Sequence, residues 1–194
     1  TRQVKAIALL ATFTVPLISG CDAFFWGDDS SGQSGDGVPG GIQTAPGSTT
    51  SGFKWLQLRA GRDHACGIRD DNTLWCWGKN DFGQLGDGSY TRRYTPVDVL
   101  NLSNGTEIAG GWFHTCAITG SGVSCWGHNL FGQLGDGTGI NSNTPVDVSG
   151  LSGGGIDIAA GYNHTCFVTS SGGVKCWGSP DSGQLGDGGP IGHQ

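Results

Sequence analysis

The sequence predicts an all-β fold built from repeated antiparallel units, and three observations carry that prediction. Glycine is abundant, at 38 of 194 residues, and only 13% of the chain is charged, so turns are frequent and long helices are disfavoured. Residues 60–66 (AGRDHAC), 110–116 (GGWFHTC) and 160–166 (AGYNHTC) recur with a period of 50, the spacing of an array of supersecondary units. Each unit also holds two cysteines nine or ten residues apart, flanked by short apolar runs, as a β-hairpin requires. Seven tryptophans and eight phenylalanines supply the apolar area that a disordered glycine-rich chain lacks.

The chain begins with a basic start, Arg2 and Lys5, and an apolar run from Ala6 to Leu17. That run has the length and polarity of a secretory signal and is too short to span a bilayer. It ends Leu17-Ile18-Ser19-Gly20-Cys21, which resembles the lipobox of bacterial lipoproteins. The resemblance implies a signal peptide over 1–20 and a lipid on Cys21 that holds the protein at a membrane of the cell envelope, periplasmic or on the cell surface. Cysteine parity agrees: with Cys21 set aside, the other six of the seven all fall in the repeats.

Residues 21–52 read as a Gly/Ser-rich tether. A fainter copy of the repeat runs through it at 26–46. Residues 26–37 (WGDDSSGQSGDG) match residues 177–188 (WGSPDSGQLGDG) at eight of twelve positions, and Trp26 and Pro46 precede Trp77 and Pro96 by 51 and 50 residues. The repeats proper occupy 53–194, divided at about 53–100, 101–149 and 150–194.

Within each repeat the hairpin register follows from placing the cysteines opposite one another. Pairing Cys66 with Cys76 also pairs Ile68 with Leu74 and Ala65 with Trp77. The second repeat pairs Cys116 with Cys125 and Ile118 with Val123, and the third pairs Cys166 with Cys176 and Val168 with Val174. One face then carries the cysteines and aliphatics, and the other carries Ala65, Thr115 or Thr165 against Trp77, Trp126 or Trp177. Both faces are apolar enough to be buried, as in a sheet squeezed between two neighbours. The register leaves three-residue loops ending in Asn72 and Gly172, residues that tolerate a left-handed backbone, and a two-residue loop Gly120-Ser121 in the second repeat that predicts a type II′ turn. Opposed cysteines in an exported chain are expected to form disulfides. Outer strands follow from the alternation in Leu56-Gln57-Leu58, Ile156-Asp157-Ile158, Val97-Asp98-Val99 and Val146-Asp147-Val148.

After the cysteines each unit continues to Trp-Gly and then GQLGDG at 83, 132 and 183, and the first two reach Thr-Pro-Val-Asp-Val at 95–99 and 144–148. This pattern resembles the repeat of the regulator of chromosome condensation family in its cysteine-bearing bacterial form. The resemblance implies a β-propeller with blades of four antiparallel strands and about fifty residues each. A seven-bladed ring would need more repeats than this sequence contains, so the expectation is a partial, incomplete propeller.

The histidines His64, His114 and His164 precede a cysteine by two residues, and a His-Cys-Cys set would suit zinc. The disulfide expectation removes the thiolates, and the resemblance implies a structural histidine tying its hairpin to neighbouring backbone. Asp87, Asp136 and Asp187 in GQLGDG lack the alternating acidic ligands of a calcium loop. They are expected to cap local amides in a tight turn, with Leu85, Leu134 and Leu185 plugging the core. No metal, cofactor or catalytic constellation is expected, and the chain reads as no enzyme.

Net charge of −6 disfavours nucleic acid as a partner. The expected function is a binding module for an unknown protein or envelope ligand. Its candidate contacts are the loops Lys79, Asn80, Asp81 and Phe82; His128, Asn129, Leu130 and Phe131; and Ser179 to Ser182. The resemblance offers two alternatives: inhibition of an enzyme, as in secreted β-lactamase inhibitors of this kind, and guanine-nucleotide exchange.

Overall fold

The computed structural model describes residues 24–48, 54–151 and 154–188; the signal-peptide and Cys21 expectations lie outside them. Among the described residues thirteen strands form four antiparallel sheets. The first sheet pairs β1 (Phe24–Asp28) with β2 (Ile42–Ser48). The second runs in chain order through β3 (Trp55–Ala60), β4 (His64–Arg69), β5 (Leu74–Gly78) and β6 (Arg93–Asp98). The third repeats it with β7 (Gly105–Gly110), β8 (His114–Thr119), β9 (Gly122–Gly127) and β10 (Ser142–Asp147). The fourth contains β11 (Gly155–Ala160), β12 (His164–Thr169) and β13 (Val174–Gly178).

The sheets are successive blades of a β-propeller. β3 packs on β7 and β7 on β11, so the first strands converge toward the axis. Among the described residues the blades form an arc and do not close a ring. β1 and β2 stand 50 residues ahead of β5 and of the body of β6, so the stretch that composition reads as a tether carries the outer two strands of a further blade from 24 to 48.

The central hairpins have the register that the cysteines imply. Cys66 faces Cys76, Ile68 faces Leu74 and Ala65 faces Trp77; the second and third blades repeat this with Cys116 and Cys125, and with Cys166 and Cys176. All three pairs are disulfides. Asn72 and Gly172 end their loops with φ of 62° and 85°. The expectation at Gly120-Ser121 was wrong. A type II′ turn needs positive φ at Gly120, whereas the positive φ falls at Gly122 (143°). Thr119 supplies the reason: its hydroxyl meets that of Ser121 at 2.8 Å and accepts from the Ser121 amide at 3.3 Å. That side-chain turn holds the two loop residues in ordinary backbone geometry.

Apolar clusters lie between the sheets, not within them. The Cys66–Cys76 disulfide, Ile68, Leu74, Leu85 and Val99 of one blade pack against Ile108, Ala117 and Trp126 of the next. The following junction repeats the scheme, with Leu134 and Val148 meeting Ile158 and Phe167. Trp77 and Trp126 are fully buried, and burying an indole of about 200 Å² contributes about 5 kcal/mol.

Candidate functional site

Antiparallel order puts the β3–β4 and β5–β6 connections of each blade at one end and the tight hairpins at the other. Two constellations form near the first end.

The inner one joins blades and accounts for the repeated histidines. His64 Nε2 lies 2.9 Å from Thr115 Oγ1 of the next blade, and that hydroxyl donates to the Gln84 carbonyl at 2.8 Å. Trp126 Nε1 donates to the same carbonyl at 2.9 Å. His114, Thr165, Gln133 and Trp177 repeat the arrangement at the next junction, and Trp77 Nε1 donates to the Gln33 carbonyl at 2.8 Å where the β1–β2 loop meets blade one. Since the threonine proton is committed to the carbonyl, histidine Nε2 must be the donor. Nδ1 of either ring is buried without an acceptor for a second proton, so burial keeps the rings neutral and lowers His64 to about 4 and, with the other histidines adding, His114 to about 3. The expected link from histidine to neighbouring backbone is thus routed through a threonine hydroxyl. Gly86 serves the same junction: a Cβ there would stand 2.8 Å from Trp126 Nε1, at φ +70°.

Asp87 and Asp136 sit in the GQLGDG loops and accept from the Ser89 and Thr138 amides. Burial pushes the Asp87 carboxyl up, but hydrogen bonds from Ser89 and Arg93 outweigh it and hold it below its ordinary value. Leu85 and Leu134 are fully buried and Leu185 is half-buried. Asp187 lies in the equivalent turn of the last repeat. Two of the proposed contact residues belong to this scaffold instead. Asn80 and Asn129 are 0% exposed: each amide nitrogen donates into its own loop, at Asp87, Ser89 and Thr91 or at Asp136, Thr138 and Ile140. Each amide oxygen accepts from the Leu85 or Leu134 amide. Asparagine offers both donors and an acceptor, which is why the loop uses it. Among the described residues, no group of three or more His, Cys, Asp or Glu is placed to share a metal ion.

The outer constellation is a solvent-facing aromatic surface. The Arg62 guanidinium lies over the Trp112 ring at 4.5 Å and the Phe113 ring at 5.5 Å. Trp112 meets Tyr162 at 3.9 Å between centroids. Phe113 touches Phe82 at 5.1 Å, Phe82 meets the edge of His128 at 4.7 Å, and His128 lies 6.1 Å from Phe131. Three blades contribute, because positions 62, 112 and 162 are equivalent in the repeat. Trp112, Tyr162 and Phe131 are 40%, 47% and 47% exposed, and Leu130 is 70% exposed. Among the described residues eleven large apolar side chains are exposed, and seven of them lie in loops at this end, namely Trp112, Leu130, Phe131 and Tyr162 with Val38, Tyr90 and Ile140, so apolar exposure is concentrated here and not scattered. His128 is buried beneath the rings, where Nδ1 lies 2.7 Å from Gln133 Nε2, and burial lowers its pKa. Lys79 pairs with Asp63 and Asp81 at 3.9 and 3.4 Å. Sequence reasoning found Phe82, Leu130 and Phe131 but missed Arg62, Trp112, Phe113 and Tyr162. Variation at one fixed repeat position, beside an invariant His, was the available signal.

The family model for the "Regulator of chromosome condensation (RCC1) repeat" matches residues 71–118 and 122–168, and a second model of that repeat matches 56–84, 106–133 and 156–184. The chain belongs to the RCC1 repeat family. Its RCC1 repeats are 33% identical over 124 residues to the probable E3 ubiquitin-protein ligase HERC4 of Rattus norvegicus, covering 62% of this chain and 12% of that protein. They are 31% identical over 128 residues to the ultraviolet-B receptor UVR8 of Arabidopsis thaliana, covering 62% and 28%. The chain thus spans less than a third of either relative. The fold is similar to yeast RCC1 (Prp20) in its complex with Kap60, with a TM-score of 0.74 at 22% identity over 88% of this chain and 42% of that one. It is also similar to human WBSCR16, with a TM-score of 0.69 at 23% identity over 80% and 42%. At those identities the likeness establishes the propeller fold alone.

Proposed function

We propose that this chain is a protein-binding module that contacts its partner through the aromatic end of the blades, displayed at the cell envelope by a lipid on Cys21. The observation that carries the reading is the cluster Arg62, Trp112, Phe113 and Tyr162 with Phe82, His128 and Phe131. It leaves three rings open to water on a rigid scaffold, the composition of an interface centre. Binding is favoured over catalysis because the repeated histidines are committed to the blade junctions. Three disulfides favour an oxidising compartment, which weighs against exchange on a cytoplasmic GTPase; inhibition of an enzyme would be one use of the same surface.

Two experiments test this. A photo-crosslinking residue at Phe131 should capture a partner in the envelope of the producing cell, and one at Val174, exposed on the opposite end, should not; equal capture from both positions would remove the reading. Radiolabelled palmitate should enter the wild type and not Cys21→Ser, and equal labelling would remove the anchor.

A further inference from the structure

The β1–β2 loop departs from its sister loops in blades one and two at a single buried side-chain atom. In the sister loops an asparagine amide nitrogen fills a cage of oxygens. Asn80 Nδ2 donates to Asp87 Oδ1 and to the Ser89 and Thr91 carbonyls, each at 3.1 Å. Asn129 Nδ2 donates to Asp136 Oδ1 and to the Thr138 and Ile140 carbonyls at 3.0, 3.2 and 3.2 Å. In the β1–β2 loop the equivalent residue is Asp29, which follows Trp26 as Asn80 follows Trp77 and Asn129 follows Trp126.

The backbone around Asp29 is the same. Its Oδ1 accepts from the Ser34 amide at 2.7 Å, as Oδ1 of Asn80 and Asn129 accepts from the Leu85 and Leu134 amides. The Gly32 amide donates to the Asp29 carbonyl at 2.9 Å and the Val38 amide to Asp36 Oδ1 at 2.9 Å, as the Gly83 and Ser89 amides do to Asn80 and Asp87. Gly32, Gly35 and Gly37 have φ of 77°, 69° and 85°, against 84°, 70° and 75° at Gly83, Gly86 and Gly88. With Oδ1 fixed in this way, Oδ2 takes the place of the amide nitrogen, and a Cβ on Gly40 would stand 2.6 Å from it. Polarity is thereby reversed, because an acceptor stands where the sister loops put two N–H donors. Asp29 is 1% exposed and its Oδ2 has no hydrogen-bond partner. Among the described residues no cationic side chain lies within ion-pair distance of it. A carboxylate buried among oxygens is costly unless a positive charge joins it.

We infer that the β1–β2 loop binds a calcium ion, with Asp29 and Asp36 as carboxylate ligands and backbone carbonyls between Val38 and Gly40 and water completing the shell. Calcium accepts oxygen ligands of mixed kind in irregular geometry, which magnesium does not. The loop also has more room than its sister in blade one. Gln43, opposite Gly27, lies six residues beyond Gly37, whereas Arg93, opposite Gly78, lies five beyond Gly88. Residues 37–41 are exposed and give the ion a path from water. Two carboxylates make a weak site, with Kd of about 10⁻⁴ to 10⁻³ M, the range of extracellular modules. The ion would brace a loop already tied to blade one, where Trp77 Nε1 donates to the Gln33 carbonyl and the Gly37 amide to the Tyr94 carbonyl, both at 2.8 Å.

The test uses the full chain with terbium as a luminescent substitute for calcium, excited through tryptophan, since the Trp77 indole reaches this loop. Emission should rise saturably with terbium and be displaced by calcium but not by the same concentration of magnesium. Calcium should also raise the melting temperature of the wild type. Asp29→Asn should abolish the saturable emission and the calcium response. Its melting in chelator should equal or exceed that of the wild type, because an asparagine amide fills this cage in both sister loops. Asp36→Asn should weaken calcium at least about tenfold, while Asp71→Asn at the opposite end should change neither signal. Absence of saturable emission overturns the inference, as does equal emission from the wild type and Asp29→Asn. Wild-type melting that calcium leaves unmoved also overturns it, and assigns a proton or a water to the buried oxygen instead.

Discussion

Thr115 occupies the centre of a junction in which every proton has one place to go. Its hydroxyl accepts from His64 and donates to the Gln84 carbonyl. Thr115→Val keeps the shape and removes both bonds, leaving the His64 donor buried without a partner. An orphaned buried donor costs about 1–3 kcal/mol, so the variant should lose that much stability in urea titrations; a loss below 0.5 kcal/mol would mean that the relay carries little. The first junction offers a natural comparison, since Ala65 stands where Thr115 and Thr165 stand and supplies no hydroxyl, while Trp77 reaches the Gln33 carbonyl. Gly61 and Gly111 complete the design: a Cβ on either would fall within 2.5 Å of the His64 or His114 ring.

At the scale of the hairpin, each disulfide cross-links β-strands that are already paired, so its effect falls mainly on the unfolded chain. Closing a loop of nine or ten residues should contribute about 2.7 kcal/mol per bridge on the chain-entropy estimate. Replacing Cys116 and Cys125 together by serine should cost at least that much. Its disulfide is fully buried between blades, and two hydroxyls would be left in an apolar space. A double variant as stable as the wild type in denaturant titration would show that strand pairing alone sets the hairpin. The hairpin register was legible because cysteine, aliphatic and tryptophan pairs all obey one sum per repeat. The Gly120-Ser121 turn was not, because glycine-first pairs suit type II′ in general, and the hydroxyls of Thr119 and Ser121 redirected this one.

Across the whole molecule, blades are held to blades by groups that must stay uncharged, and this makes the arc acid-sensitive. His64 and His114 have folded pKa values lowered to about 4 and about 3, against about 6.5 when unfolded. Between those values the unfolded chain binds protons that the folded chain refuses, so stability is full above pH 6.5 and falls as pH drops toward 4. The loss should be about 1.6 kcal/mol per buried histidine between pH 6.5 and pH 5. Urea midpoints at the two pH values measure it, and His64→Gln should flatten the dependence; an unchanged midpoint in the wild type would contradict the neutral-histidine relay.

By itself the sequence determined the all-β class, the period of 50, the hairpin registers and the disulfide partners. These depend on short-range alternation and on chemistry confined to one repeat. It also exposed, in a fixed register of Trp26 and Pro46, the strand pair now seen as β1 and β2. Only the tertiary structure decided which polar residues are scaffold and which face water. Asn80 and Lys79 are neighbours in one loop, yet the first is buried in its own hydrogen bonds and the second lies at the surface. It also decided that Arg62, Trp112 and Tyr162, each 50 residues from the next, stand in one line. That follows from blades packing face to face with their first strands converging, a long-range arrangement that local periodicity does not encode.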